Sequence, residues 1–148
     1  MIRKATNEDL PEVLIMLTEF YKESGHNTLG EVNYKDLSQF VRILISDHIL
    51  IVAEKDRELV GVTGAVLSPM YWNVSNTIAQ ELFWWIAPKH RRGGVGLKLF
   101  EGLEEGVKET TAKVLVMASV DRLNGLKVGK FYESQGYAIS EHTYVKRF

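Results

Sequence analysis

Two arginines, Arg91 and Arg92, run directly into Gly93, Gly94, Val95 and Gly96, and the stretch "HRRGGVGLKLF" then continues into apolar positions spaced like one face of a helix. The first turn of a helix exposes backbone N–H groups that have no intrahelical partner, and the helix dipole adds partial positive charge at the same place. Glycines let the main chain approach a bulky anion through dihedrals closed to other residues, and the arginines add full charges beside it. The chemistry such a bend serves is phosphate binding. Taken alone, it reads more simply as a tight turn with two solvated arginines. A nucleotide-triphosphatase loop needs lysine and then Ser or Thr after its last glycine, whereas Gly96 is followed by Leu97 and Lys98. A dinucleotide-binding fingerprint would follow a first strand, with an acidic residue roughly 20 positions on.

The elements that must position this bend follow from the hydrophobic period. "MIRKA" can be a short strand, and Thr6 and Asp9 stand at capping-box spacing before Leu10, Val13, Leu14, Leu17 and Phe20, which predict a first helix. Ser24 to Glu31 reads as a loop, and Leu37, Phe40, Val41, Leu44 and Ile45 predict a second amphipathic helix. "ILIVAE" and "LVGVTGAVL" flank the polar turn Lys55 to Glu58, a hairpin pattern. A loop is expected around Pro69 to Asn76, then a strand "IAQELFWWIA" ended by Pro88, which has no N–H for a ladder. Val95, Leu99, Leu103 and Val107 repeat every four residues and predict the helix after the glycines. "KVLVMASV" reads as a buried strand, Leu126 to Tyr132 as a last helix, and "YAISEHTYVKRF" as one or two closing strands. The order is β-α-α-β-β-β-α-β-α-β(-β), an α/β chain with the glycine bend at a strand-to-helix junction.

Composition narrows the function classes. A chain of 148 residues without repeats, low-complexity tracts or an interdomain linker reads as a single domain, 1–148, with room for a substantial core. Eighteen basic residues face nineteen acidic ones, so no global field draws nucleic acid or an anionic membrane, and any anion must be bound locally. The absence of cysteine removes disulfides, thiolate metal sites and a cysteine nucleophile together. His26, His48, His90 and His142 are too scattered to suggest a metal site. The apolar runs are far shorter than the roughly 20 residues of a membrane span, and "MIRKATNEDL" carries no hydrophobic leader, so a cytoplasmic protein is expected.

The bend resembles the signature of the GNAT superfamily of N-acetyltransferases, Arg/Gln-x-x-Gly-x-Gly/Ala, met by Arg91, Gly94 and Gly96. "WWIAPKHRRGGVG" is similar to the family's strand, proline and pyrophosphate loop, "FYESQGY" to its tyrosine-bearing helix end, and the order of elements matches from Ile2 to Phe148. The resemblance implies a GNAT-type mixed, mostly antiparallel sheet flanked by helices. It also implies acetyl-coenzyme A as cosubstrate, no metal, and direct attack by an amine on the thioester without a covalent acyl-enzyme. By the same resemblance, backbone N–H groups from Arg92 to Gly96 hold the pyrophosphate. Ile86 and Ala87 pair with the pantetheine arm as a neighbouring strand would, in a gap between their strand and "KVLVMASV".

Acyl transfer to nitrogen makes two proton demands: an alkylammonium of pKa roughly 10 must lose a proton, and a thiolate of roughly 8.5 leaves better when protonated. Tyr132 matches the family tyrosine that serves as the acid; a ring that only fills the core is the plainer reading. Glu81 could accept the amine proton through water, or strand alternation could turn it to solvent or into an ion pair, leaving ordered water to carry the proton. Asn124 resembles the asparagine before the last helix that touches the cofactor arm, one residue further from Tyr132 than usual, and equally suits a helix N-cap. Trp84 and Trp85 must face opposite sides of their sheet, so at least one borders the cleft or lies under a helix. The acceptor side is implied over Phe20 to Tyr34, where Glu19, Glu23 and Glu31 either attract a cationic amine or solubilise helix ends.

The expectation is an N-acetyltransferase acting on a primary amine, small-molecule or peptide, with neither nucleic acid nor membrane as partner. The competing reading is a noncatalytic protein of the same fold that retains acyl-coenzyme A without turnover; intact Arg91, Gly94, Gly96 and Tyr132 argue against such decay. Exposed edges near the C-terminal strands could pair two copies into a homodimer.

Overall fold

A computed structural model describes residues 1–148. Five strands, β1 (Ile2–Lys4), β2 (Ile49–Lys55), β3 (Glu58–Met70), β4 (Asn73–Ile86) and β5 (Val114–Val116), lie side by side in chain order. The first four are antiparallel and β5 joins β4 in parallel. Helices α1 (Leu10–Ser24) and α2 (Tyr34–Asp47) cover one face, α3 (Val95–Lys108) covers the other, and α4 (Gly125–Ser134) follows β5.

Local chemistry explains most boundaries. The Asp9 carboxylate accepts from the Thr6 N–H at 2.7 Å and from the Arg3 guanidinium at 2.7 and 2.8 Å, tying β1 to the entry of α1. Pro11 stands in the first turn of α1, where no N–H is needed, and Gly25 ends the helix at φ 80°. The Asn33 side chain caps α2 by accepting from the Asp36 N–H at 3.1 Å. Asp56 and Arg57, both at positive φ, make the two-residue reversal between β2 and β3.

Alternation along β2 sends Leu50 and Val52 to the α1 and α2 face, with Val13, Leu17, Phe20, Val41 and Leu44. Ile49, Ile51 and Ala53 go to the α3 face, with Leu99, Leu103 and Val107. With both faces covered, β2 is nearly continuous in its apolar character. The close approach of α3 needs glycine: a Cβ at Gly102 would lie 2.7 Å from Ile2 Cγ2.

Three expectations are corrected. Pro69 to Asn76 is not a loop: β3 and β4 continue through it as one long hairpin turning at Tyr71 and Trp72, and Pro69 sits beside a register shift that tolerates its missing N–H. "KVLVMASV" is a strand only over Val114–Val116, because the chain leaves β4 after Gln80. The closing strands do not form: 137–148 holds no helix or strand, and Ile139, Tyr144, Val145 and Phe148 are exposed. A strand needs an edge to pair with, and β5 has only three paired residues. The tail is held instead by isolated bonds, Tyr137 Oη to Glu104 at 2.9 Å and Arg147 to the Thr28 carbonyl at 2.9 Å.

Candidate active site

Between Gly64 and Ala65 the register shifts so that Leu82 is the extra residue of a β-bulge: Gly64 pairs with Phe83 and Ala65 with Glu81. A bulge reverses which face odd-numbered residues occupy. Phe83 and Trp85 therefore pack under α1 and α2, while Ala79 packs on the α3 side. Glu81, which simple alternation would group with Phe83 and Trp85, shares a cavity of about 120 Å³ with Trp84 and Tyr132.

Beyond the bulge β4 has a free edge. Ala87 N–H donates to the Val60 carbonyl at 2.9 Å, so by antiparallel alternation the N–H and C=O of Ile86 and Trp84 point away from β3. β5 pairs only with Ile78, Ala79 and Gln80, which leaves those groups beside a gap. Ile86 keeps its N–H open on that side, while its carbonyl accepts from Arg91 Nε at 2.9 Å. Ala87 keeps neither group open: its N–H belongs to the β3 ladder and its carbonyl accepts from His90 N–H at 2.8 Å.

Glu81 and Tyr132 meet on the backbone of one residue, Ala118. Ala118 N–H donates to Glu81 Oε2 at 3.2 Å, and Tyr132 Oη donates to the Ala118 carbonyl at 3.2 Å. Glu81 is 7 % exposed. Burial pushes its pKa up to about 7, against a smaller lowering by the Ala118 bond. Burial also raises the Tyr132 phenol, as do the negative charge of Glu81 and the nearby Tyr137. The tyrosine ring is buried among Trp84, Phe100, Phe131 and Tyr137, so it both fills the core and presents a hydroxyl beside a carboxylate.

The glycine bend lies at the same end of β4. Gly93 and Gly94 take φ 122° and 83°, with open space where a Cβ would stand, and Gly94 is the N-cap of α3. None of the N–H groups from Arg92 through Leu97 donates to a protein acceptor. This row of amides at the start of a long helix fits a diphosphate, and it borders the gap: a Cβ at Gly96 would meet Ile86 Cδ1 at 3.4 Å and Trp84 Cζ2 at 3.5 Å.

Arg91 departs from expectation. Its guanidinium donates to both Glu23 carboxylate oxygens at 2.6 and 2.9 Å and to the Ile86 carbonyl at 2.9 Å, and lies over the Trp85 ring at 5.9 Å. It pins the bend to the end of α1 and is not free for an anion; Arg92 is exposed and forms no ion pair. Glu23 accordingly neither draws an acceptor nor merely solubilises a helix end. Glu19 pairs with Lys22 at 2.8 Å. Asn124 occupies the N-cap position of α4 at φ 58°, but its side chain makes no capping bond and is exposed.

A second cavity, about 390 Å³, lies between the end of α1, the loop after it and the start of α2, with Tyr21, Glu31, Asp36 and Phe40 on its walls. His26 lines both cavities, stacked on Phe20 at 5.8 Å with Nδ1 2.6 Å from Ser24 Oγ. Neither His26 nor the Ala118 backbone carries a sequence signal: a lone loop histidine and main-chain N–H and C=O groups acquire a place only when α1, β4 and α4 converge.

The model of the acetyltransferase (GNAT) family matches residues 13–137. Among solved structures, a predicted acetyltransferase with acetyl-CoA from Clostridium acetobutylicum superposes with a TM-score of 0.76 at 15% identity, covering 99% of this chain and 95% of that one. An aminoglycoside acetyltransferase from an uncultured soil metagenomic sample gives 0.75 at 17%, covering 100% and 97%. The ribosomal-protein-alanine N-acetyltransferase of Brucella melitensis biovar Abortus 2308 gives 0.71 at 20%, covering 100% and 99%. No curated protein sequence matches significantly. With an open amide row at the head of α3, a splayed β4 edge and a family model spanning most of its length, the chain belongs to the GNAT family of acetyltransferases.

Proposed function

We propose that this protein transfers an acetyl group from acetyl-coenzyme A to the nitrogen of a primary amine. The observation that carries the reading is the Glu81–Ala118–Tyr132 linkage: a buried carboxylate and a buried phenol, bonded to the N–H and the carbonyl of one backbone residue, facing a gap beside unpaired helix-head amides. The thioester supplies an activated acyl carbon. The amides from Arg92 to Gly96, with the Arg92 charge, hold the diphosphate, and the Ile86 edge aligns the amide-bearing arm. Asn124, at the head of α4, adds a polar side chain toward the same arm.

Glu81 takes the ammonium proton. A carboxyl raised to about 7 is a stronger base than an ordinary one and is still ionised in useful amount at neutral pH. Tyr132 stays protonated and donates to the departing sulfur once its hydroxyl exchanges the Ala118 carbonyl for it. Because the charge of Glu81 is one cause of the raised phenol pKa, protonating Glu81 makes Tyr132 a better acid. Base and acid are thereby coupled in the order the reaction needs.

The neighbours named as aminoglycoside and ribosomal-protein-alanine acetyltransferases both act on amine-bearing acceptors, which supports a primary amine here. The acceptor enters through the cavity between α1 and α2. Free-thiol release from acetyl-coenzyme A, measured across peptide N-termini, lysine derivatives, polyamines, amino sugars and small amines, tests the reading. Acceptor-dependent release is expected with at least one class. Cofactor binding without release for any of them would favour a noncatalytic protein of this fold.

A further inference from the structure

Adjacent tryptophans on β4 differ in one respect. The Trp85 indole N–H donates to Glu23 at 3.2 Å, whereas the Trp84 indole N–H is fully buried and has no partner. A donor lost to water and unmatched in the protein is costly and calls for an explanation. The Trp84 ring packs among Phe100, Phe131 and Tyr132, at centroid distances of 6.0, 5.7 and 6.0 Å, and none of these offers an acceptor on a ring face comparable to a carbonyl. Its Cζ2, bonded to the same ring carbon as Nε1, is the atom nearest Gly96 on that ring, so the N–H edge lies against the first turn of α3. That turn presents only unpaired N–H groups. A donor set among donors is satisfied only by an acceptor brought from outside.

We propose that the Trp84 indole N–H is a binding group for the pantetheine arm, donating to one of its amide carbonyl oxygens. This rests on the acetyl-coenzyme A reading and adds to it a side-chain donor on the strand that otherwise offers main-chain groups. A neutral carbonyl suits the place better than a phosphate, because the three aromatic rings around Trp84 would desolvate a charge without pairing it. Trp84 also stands between the amide row at Gly96 and the cavity of Glu81 and Tyr132, the interval an arm must cross from diphosphate to thioester. Since the N–H is now covered, the entering arm must part the contacts over that edge, and the indole changes surroundings when it does.

The experiment is a titration of the 15N-labelled protein, following the indole N–H resonances of Trp72, Trp84 and Trp85, with Trp84→Phe identifying the Trp84 signal by its loss. Coenzyme A is expected to move that signal downfield, as a new hydrogen bond does, while ADP, which has the diphosphate but no arm, leaves it in place. Trp84→Phe is expected to weaken coenzyme A by about fivefold to tenfold, the size of one neutral hydrogen bond, and to leave ADP affinity unchanged. Calorimetric binding of coenzyme A with the Trp84 signal unmoved, or moved equally by ADP, overturns the proposal alone. Failure of coenzyme A to bind at all overturns it together with the cofactor reading.

Discussion

The two halves of β4 differ in what lies along their outer edge. Over Ile78, Ala79 and Gln80 the strand is bonded to β3 on one side and β5 on the other; past the Leu82 bulge it is bonded to β3 alone. The paired half buries an alanine at zero exposure, with both of its edges bonded to neighbouring strands. The splayed half holds the buried carboxylate, the unpaired indole N–H and an Ile86 N–H with no neighbouring strand. One strand is thus closed on both edges at one end and has an open edge, with an unpartnered donor beside it, at the other.

That contrast is broken most severely at Tyr132. Tyr132→Phe keeps the ring in its aromatic cluster and removes only the hydroxyl, so kcat is expected to fall by about 10²-fold or more while the affinity for acetyl-coenzyme A stays nearly intact. Steady-state kinetics with both substrates varied, beside direct binding of the cofactor, separates the two; an unchanged kcat would take Tyr132 out of the mechanism.

Glu81→Gln comes next. The wild-type pH profile is expected to have an acidic limb near the carboxyl pKa of about 7, and the variant to lose that limb along with about 10²-fold in rate. A limb that survives in the variant would hand the proton to water or another group. The same substitution has an opposite effect on stability. A carboxyl whose pKa rises on folding favours the protonated folded state, so its contribution is complete below 4.5 and is lost as pH climbs through about 7. At 1.36 kcal/mol per unit the loss approaches about 3 kcal/mol. Thermal melts should show wild-type stability falling between pH 5 and 8 and the glutamine variant holding nearly level.

The smallest effect on chemistry belongs to the paired half. Ala79→Val overfills a site packed against the α3 core and is expected to remove about 1–3 kcal/mol of stability, with the acidic limb unmoved and kcat within about twofold of wild type. A displaced limb would mean that the two halves are mechanically one.

Legibility followed the range of the interactions. The helices α1, α2 and α3 were readable because a 3.6-residue apolar period and its caps lie within one stretch of chain, from Thr6 and Asp9 to Val95, Leu99, Leu103 and Val107. The open amides at the glycine bend were readable for the same reason: a helix start and positive-φ glycines are local properties. The β3–β4 hairpin was longer than its sequence suggests, because cross-strand pairing carried both strands through Pro69. The strands expected after Tyr137 were absent, because a strand exists only where an edge receives it.

By itself, then, the sequence determined the order of elements as far as α4, the apolar faces and a glycine bend with open amides, since each depends on neighbours a few residues apart. Tertiary structure decided the rest. One inserted residue at Leu82 turned Glu81 to the side of Tyr132, the backbone N–H and carbonyl of Ala118 joined the two, and Glu23 drew the Arg91 charge away from the expected anion. Those outcomes depend on register and on contacts between residues tens of positions apart, for which alternation and spacing hold no information.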